Sequence, residues 1–151
     1  FLQDVAWGEL DVLLLDLPPG TGDIQLTIVQ TLALDGAVVV TTPQEVALID
    51  ARKAISMFAK VNVRILGIIE NMSWFECDQG KRYHIFGEGG GRLEAERMGL
   101  PLLAEIPIDP ETRQRCDQGQ PIALLEPNDS PVAEAFQKAA RALPVFSGTT
   151  P

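Results

Sequence analysis

Cysteine is scarce in this chain: among 151 residues only Cys77 and Cys116 occur. Two thiols do not make the disulfide framework of a small secreted domain, so the composition points to a reducing compartment, the cytoplasm. Basic residues are scarce as well. Twelve lysines and arginines face 21 acids, a formal net charge of −9, and the densest basic cluster is Lys81-Arg82 with Arg92 nearby. Such a surface repels phosphate backbones, which argues against a nucleic-acid partner. The apolar runs are far shorter than a bilayer span and are flanked by charges and prolines, so no membrane partner is expected. No secretory or transit pattern is visible. What remains, 46% hydrophobic and 22% charged, suits a soluble globular domain with room for one core.

Alternation is what the chain has in quantity. Four largely apolar runs, VLLLD (12–16), AVVVT (Ala37–Thr41), ILGIIE (65–70) and LLAEI (102–106), predict strands buried on both faces of a parallel sheet. Helices are predicted between and after them. Asp23 caps one over 24–34 with Ile24, Ile28 and Leu32 inward. A second covers about 45–60 with the stripe Leu48, Ala51, Ile55 and Phe58, and a third covers 92–98, stopped by Gly99 and Pro101. Asp109-Pro110 opens a fourth that Gly119 ends, and Ser130-Pro131 opens a fifth with Val132, Phe136, Ala140 and Leu143 inward. The fold class is therefore α/β: an open, doubly wound, mostly parallel sheet with helices on both faces. One domain covers 1–151, with a frayed tail over 144–151. A linker of about twenty residues, 71–91, is long enough to read as functional or disordered.

In open parallel sheets, ligands sit beyond the carboxyl ends of the strands. Each run here stops at a polar or conformationally special residue: Asp16 with Leu17-Pro18-Pro19-Gly20, Thr41 with Thr42-Pro43-Gln44, Glu70 with Asn71-Met72-Ser73, and Ile106 with Pro107-Ile108-Asp109-Pro110. A lone carboxylate at a strand end, beside amides freed by a glycine turn, suits a hydrated Mg²⁺ next to a nucleotide phosphate, because Mg²⁺ keeps its waters and takes few protein ligands. In that reading Asp16 holds the water shell, Pro18 and Pro19 pre-set the turn, and Gly20 lets an amide approach a terminal phosphate. The plainer reading is a capped tight turn with a solvated aspartate.

The stretches LDVLLLDLPPGTGD, GAVVVTTPQEVALIDARKAISMF, GIIENMSWF, HIFGEGGG and EIPIDP occur in that order. Together they resemble the Mrp/ApbC branch of the MinD-type deviant P-loop ATPases, proteins that carry or scaffold iron–sulfur clusters. The resemblance reaches to about Leu143. It implies that Asp16 begins the second switch region and supports Mg²⁺ through water, that Gly20 lies near the γ-phosphate, and that Asn71 hydrogen-bonds the adenine ring. An amide both donates and accepts, which suits a purine edge, although an asparagine at a strand end also serves turns. Pro107, Ile108 and Asp109 resemble the segment lining the base from the other side; Asp109 also reads as a helix cap, its favoured single role. Thr42-Pro43-Gln44 shapes the rim. The implied function is an ATP-dependent iron–sulfur carrier or scaffold, a nucleotide-switched homodimer that serves apo iron–sulfur proteins.

Two departures qualify that implication. No G-x-x-x-x-G-K-[ST] or K-G-G-x-G-K-[ST] is present, and GEGGGR at 87–92 has neither the lysine nor the hydroxyl. It reads as a loop entering a helix, with an anion at the helix start as an option. The resemblance implies a phosphate loop upstream of Phe1, so the chain is the C-terminal portion of the ATPase domain and by itself does not hydrolyse ATP. The family's C-P-x-C, which in a dimer gives the four thiolates of a [4Fe–4S] cluster, is here C-D-Q-G: Cys77 is present and Gly80 replaces its partner. Cys116 reads as a helix-face residue, His84 as hydrogen-bonded or packed, and Trp74-Phe75 as loop or dimer packing. Two other readings stay open, a MinD/ParA-like positioning ATPase and a non-catalytic truncated module.

Overall fold

In the computed structural model, residues 4–18, 20 and 22–144 are described. Strand β1 (Ala37–Thr41) leads through helix α2 (Glu45–Lys60) into β2 (Ile65–Glu76), then a short β3 (Arg82–Tyr83), helix α3 (Gly90–Met98) and β4 (Leu102–Ile108). Helix α1 (Asp23–Thr31) precedes them; α4 (Pro110–Asp117), two 3₁₀ turns and α5 (Pro131–Arg141) follow. β1 and β4 flank β2, both parallel to it, while β3 turns back antiparallel on its last residues.

Helices cover both faces, as a doubly wound sheet requires. On one side Val39 and Ile68 pack against Ala51 of α2 and Ala95 of α3. On the other, Leu103, Ala104 and Ile106 meet Val132 and Ala139 of α5 and Ile122 of the first 3₁₀ turn. Ile68 and Ala133 are fully enclosed, and burying a side chain the size of Ile68 is worth about 1.5–3 kcal/mol. A third cluster joins Val29 of α1 to Met57 and Phe58 near the end of α2 and to Val63 just beyond it.

The expected β1 and α2 match the structure residue for residue, α2 with Leu48, Ala51 and Phe58 buried. Other expectations are corrected. The run 12–16 is not a strand: it has no regular secondary structure and no ladder, with Leu13 44% and Leu14 80% exposed. A strand exists only where a neighbour takes its backbone hydrogen bonds, and none of the described residues lies alongside. Helix α1 ends at Thr31, and its N-cap is Gly22 instead of Asp23, which sits in the first turn without a capping bond. Its inward residues are Gln25 and Val29, whereas Ile24 is 66% exposed. The one-residue rotation follows Gln25, whose amide donates to the carbonyl of Pro18 at 2.9 Å.

Linker 71–91 is largely structured, since β2 continues to Glu76 and returns through β3. In α5 the inward face is Val132, Ala133 and Ala139, with Phe136 39% exposed. Gln137 sets that rotation by donating to the carbonyls of Ala123 and Leu125. The expectations for Pro19 and for the tail beyond Pro144 lie outside the described residues.

Candidate functional site

Parallel β1, β2 and β4 end on one rim, and the ladder decides which predicted residues meet there. Asn71 pairs in register with Ile106, so it stands beside the Pro107–Asp109 segment at the end of β4. Its Oδ1 accepts from the backbone N–H of Met72 at 2.9 Å, which fixes the amide and leaves its nitrogen as a donor. Met72 has a φ of +58° at a register break between Asn71 and Phe75, and this bulge bends the strand just past the rim. Asp109 is a helix cap: its carboxylate accepts from the N–H of Glu111 and Thr112 at 3.3 and 2.8 Å and from the Thr112 hydroxyl at 2.7 Å. Pro107 and Ile108 are half-buried beside it.

Asp16 and Gly20 belong to a different segment, the irregular approach to α1. Asp16 is exposed and Gly20 has a φ of +96°, a backbone that favours glycine. Among the described residues neither is hydrogen-bonded to the β2–β4 group. An exposed lone carboxylate fits the outer shell of a hydrated Mg²⁺, and the oriented Asn71 amide fits a purine edge. Thr42 Oγ1 at the end of β1 is buried without a hydrogen-bond partner, while Pro43 is enclosed behind it.

The residue that sequence reasoning passed over is Glu70. It is 1% exposed, and its carboxylate accepts from the N–H of Gly91 in the first turn of α3 at 2.5 Å. The N-terminus of α3 therefore meets a carboxylate from within the chain, and the optional anion at GEGGGR is replaced by Glu70. The glycines serve close packing. A Cβ on Gly90 would lie 2.1 Å from the Pro43 carbonyl oxygen, and one on Gly91 would lie 3.0 Å from the Glu70 side chain. The available signal was an acid ending an otherwise apolar strand, together with three consecutive glycines twenty residues on.

Beyond the bulge, β2 carries the hairpin. Cys77 is half-buried; its N–H donates to the Lys81 carbonyl at 3.0 Å, and its own carbonyl accepts from Gly80 at 2.8 Å. Gly80 takes a φ of +74° to close the turn. The Arg82 guanidinium lies 4.6 Å over the Trp74 ring and pairs with Glu76 at 2.8 Å, so Trp74 packs within the hairpin. His84 Nδ1 is 3.2 Å from the Ser73 carbonyl oxygen, a hydrogen-bonded histidine as expected. Arg92 pairs with Glu105 across the floor of a polar cleft of about 420 Å³, which opens between the hairpin and α3. Cys116 is exposed on α4. Among the described residues no group of three or more histidine, cysteine, aspartate or glutamate side chains is placed to hold a metal, and no helix is long and apolar enough to cross a membrane. Further back, Glu45 and then Glu94 hydrogen-bond the Arg52 guanidinium and raise its pKa.

Comparison with known proteins gives a consistent result. A family model described as ParA, NUBPL iron-transfer P-loop NTPase, matches residues 1–144. An iron–sulfur cluster carrier protein of Aquifex aeolicus is 53% identical over 144 residues, covering 95% of this chain and 39% of that protein. One from Deinococcus radiodurans is 55% identical over 144 residues, covering 95% and 40%. Among solved structures, a nucleotide-binding protein in complex with ADP from Archaeoglobus fulgidus superposes with a TM-score of 0.69 at 46% identity, over 76% of this chain and 48% of that one. The septum site-determining protein MinD complexed with Mg-ADP from Pyrococcus horikoshii gives 0.57 at 30%, over 76% and 43%. The chain thus spans less than half the length of these relatives.

Proposed function

The chain belongs to the NUBPL iron-transfer family of ParA-type P-loop NTPases, and from that premise we propose that it is the C-terminal portion of a cytoplasmic, ATP-dependent iron–sulfur cluster carrier. The observation that carries this reading is the course of β2. One strand runs from Asn71, beside the β4 end, through the bulge to the hairpin that presents Cys77. Six residues of strand span about 20 Å, so a nucleotide-base contact and a thiol are joined by a single short ladder. Asn71 is assigned to the adenine edge, with Pro107 and Ile108 against the base and Asp109 holding their turn. Asp16 is assigned to the Mg²⁺ water shell and Gly20 to the terminal phosphate. The Asp16 carboxylate would meet the cation's waters and the Gly20 backbone the phosphate charge, so bound nucleotide would order this turn.

Residues outside this chain supply the phosphate loop. The uncovered Leu13 and Leu14 support that part of the reading, since an apolar run without a ladder partner suits a place beside another strand. The carrier function is favoured over the MinD-like one because relatives named as carriers stand at 53 and 55% identity, against 30% for the MinD structure. Two copies of the chain offer two hairpin thiolates, half of the usual four, so the cluster as cargo takes its remaining ligands elsewhere.

The test is anaerobic reconstitution of the full-length protein, followed by iron and acid-labile sulfide determination and nucleotide titration. Cluster bound in wild type and lost in Cys77→Ser, with nucleotide affinity lowered about tenfold in Asn71→Ala, is the expected result. Absence of bound iron in wild type removes the carrier function.

A further inference from the structure

Glu70 is a buried carboxylate to which the proposed carrier function gives no task. It precedes Asn71 in β2 and pairs in register with Thr41 of β1 and Glu105 of β4, so it lies at the centre of the rim. Its side chain receives the Gly91 N–H, and its backbone carbonyl accepts from the Ser73 hydroxyl at 3.0 Å. The Ser73 carbonyl in turn meets His84, the first residue after β3. Both ends of the segment returning from the Cys77 hairpin are thus tied to Glu70 or to its immediate contact: His84 through Ser73, and Gly91 directly. Packing leaves little slack. A methyl group on Gly91 would press on the Glu70 side chain at 3.0 Å, and one on Gly90 would overlap the Pro43 carbonyl oxygen just past β1 at 2.1 Å.

We propose that Glu70 is the positioning residue that couples occupancy of the nucleotide base at Asn71 to the Cys77 hairpin. The inference rests on the carrier reading above, because it takes Asn71 as the base contact. A base drawn to Asn71 moves the strand end; the neighbouring Glu70 carboxylate moves with it, and the first turn of α3 and the 84–91 return segment follow. Closely packed groups with one charge-assisted hydrogen bond between them shift together instead of absorbing the displacement. Glu70 touches neither nucleotide nor cluster; it acts through Gly91 and Ser73.

The experiment uses the full-length protein as wild type, Glu70→Ala, Glu70→Gln and Gly91→Ala. Without nucleotide, amide exchange over 84–91 is expected to rise about tenfold in Glu70→Ala, the effect of losing a hydrogen bond to a charged group, and less in Glu70→Gln, whose amide oxygen still accepts. With nucleotide, the alkylation rate of Cys77 is read peptide by peptide, with the exposed Cys116 as internal reference. Wild type is expected to change its Cys77 rate when ATP binds. Glu70→Ala is expected to bind ATP within about threefold of wild type and to lose that change, whereas Glu70→Gln keeps part of it.

A merely structural glutamate would alter exchange without removing the response to ATP. Unchanged exchange over 84–91, or a Cys77 response retained in Glu70→Ala, overturns the proposal. If wild type binds ATP but Cys77 does not respond, the coupling falls and the nucleotide reading stands; if wild type binds no ATP, both fall. Should Glu70→Ala not fold, Gly91→Ala perturbs the same contact from the other side and must reproduce the loss of response.

Discussion

Replacing Gly90 by alanine adds one methyl group where, of the described glycines, a side chain would meet its neighbours most closely. Its carbon would sit 2.1 Å from the carbonyl oxygen of Pro43, 2.9 Å from that carbonyl carbon and 3.0 Å from Leu48 Cδ1. Two of these atoms are backbone at the end of β1, so no side chain can swing aside. The start of α3 must retreat by about 1 Å to restore contact distances, and overpacking of this kind costs about 1–3 kcal/mol. The same retreat stretches the Gly91–Glu70 hydrogen bond, a charge-assisted bond worth about 1.5–3 kcal/mol. Alanine returns at most about 1 kcal/mol through its helix propensity. The clash wins, and the net destabilisation is about 2–4 kcal/mol.

Gly89 is the control. It has a φ of +65° and nothing within 4 Å of a built Cβ, so alanine there meets only backbone strain of about 1–2 kcal/mol. Urea denaturation of the full-length protein, with midpoint and slope fitted together, gives both values. If Gly90→Ala costs no more than Gly89→Ala, the packing argument for the glycine run is wrong.

The remaining predictions use the same protein. Asp109→Ala removes the cap of α4 and is expected to cost about 1–2 kcal/mol, while Asp109→Asn, which still accepts from the Thr112 N–H, loses less; denaturation midpoints separate them. Arg52→Ala leaves the enclosed Glu94 carboxylate without its 3.0 Å partner and lowers the melting temperature more than Glu45→Ala does. Since the Arg52 pKa is raised by Glu45 and Glu94, that stabilisation is fully present below the ordinary guanidinium value and is lost only as pH climbs through the raised one. The difference between Arg52→Ala and wild type should therefore stay flat across the neutral range, and a slope there refutes the assignment. Gly80→Cys restores a second hairpin thiol at a site with open space, at a strain of about 1–2 kcal/mol for a φ of +74°. Reconstituted iron per protomer should rise, and no rise excludes Gly80 as the position of the partner ligand.

How far the fold could be read ahead depended on whether a residue's role was local. Helix α2 declares itself through an amphipathic stripe, and Asp109-Pro110 and Ser130-Pro131 declare helix starts through hydrogen bonds made two or three residues away. These are short-range physics and survive any tertiary context. Val12–Leu15 has as strong an apolar pattern as β1, yet only β1 is a strand here, because a ladder needs a partner and apolar character does not name one. The rotations of α1 and α5 are set by Gln25 and Gln137, two amides that reach backbone carbonyls outside their own helices. Hydrophobic periodicity averages over such single polar anchors. At the site, Asn71 and Asp109 stand out as polar groups with roles readable from their neighbours, whereas Glu70, marked only as the end of the same apolar run, receives no role, since its partner is a backbone amide twenty-one residues later. The glycine run left an anion at the helix start open as an option for a related reason. Glycines that let a backbone approach a phosphate and glycines that let a helix approach a strand are the same residues, and only the occupant of the helix start, Glu70, tells them apart.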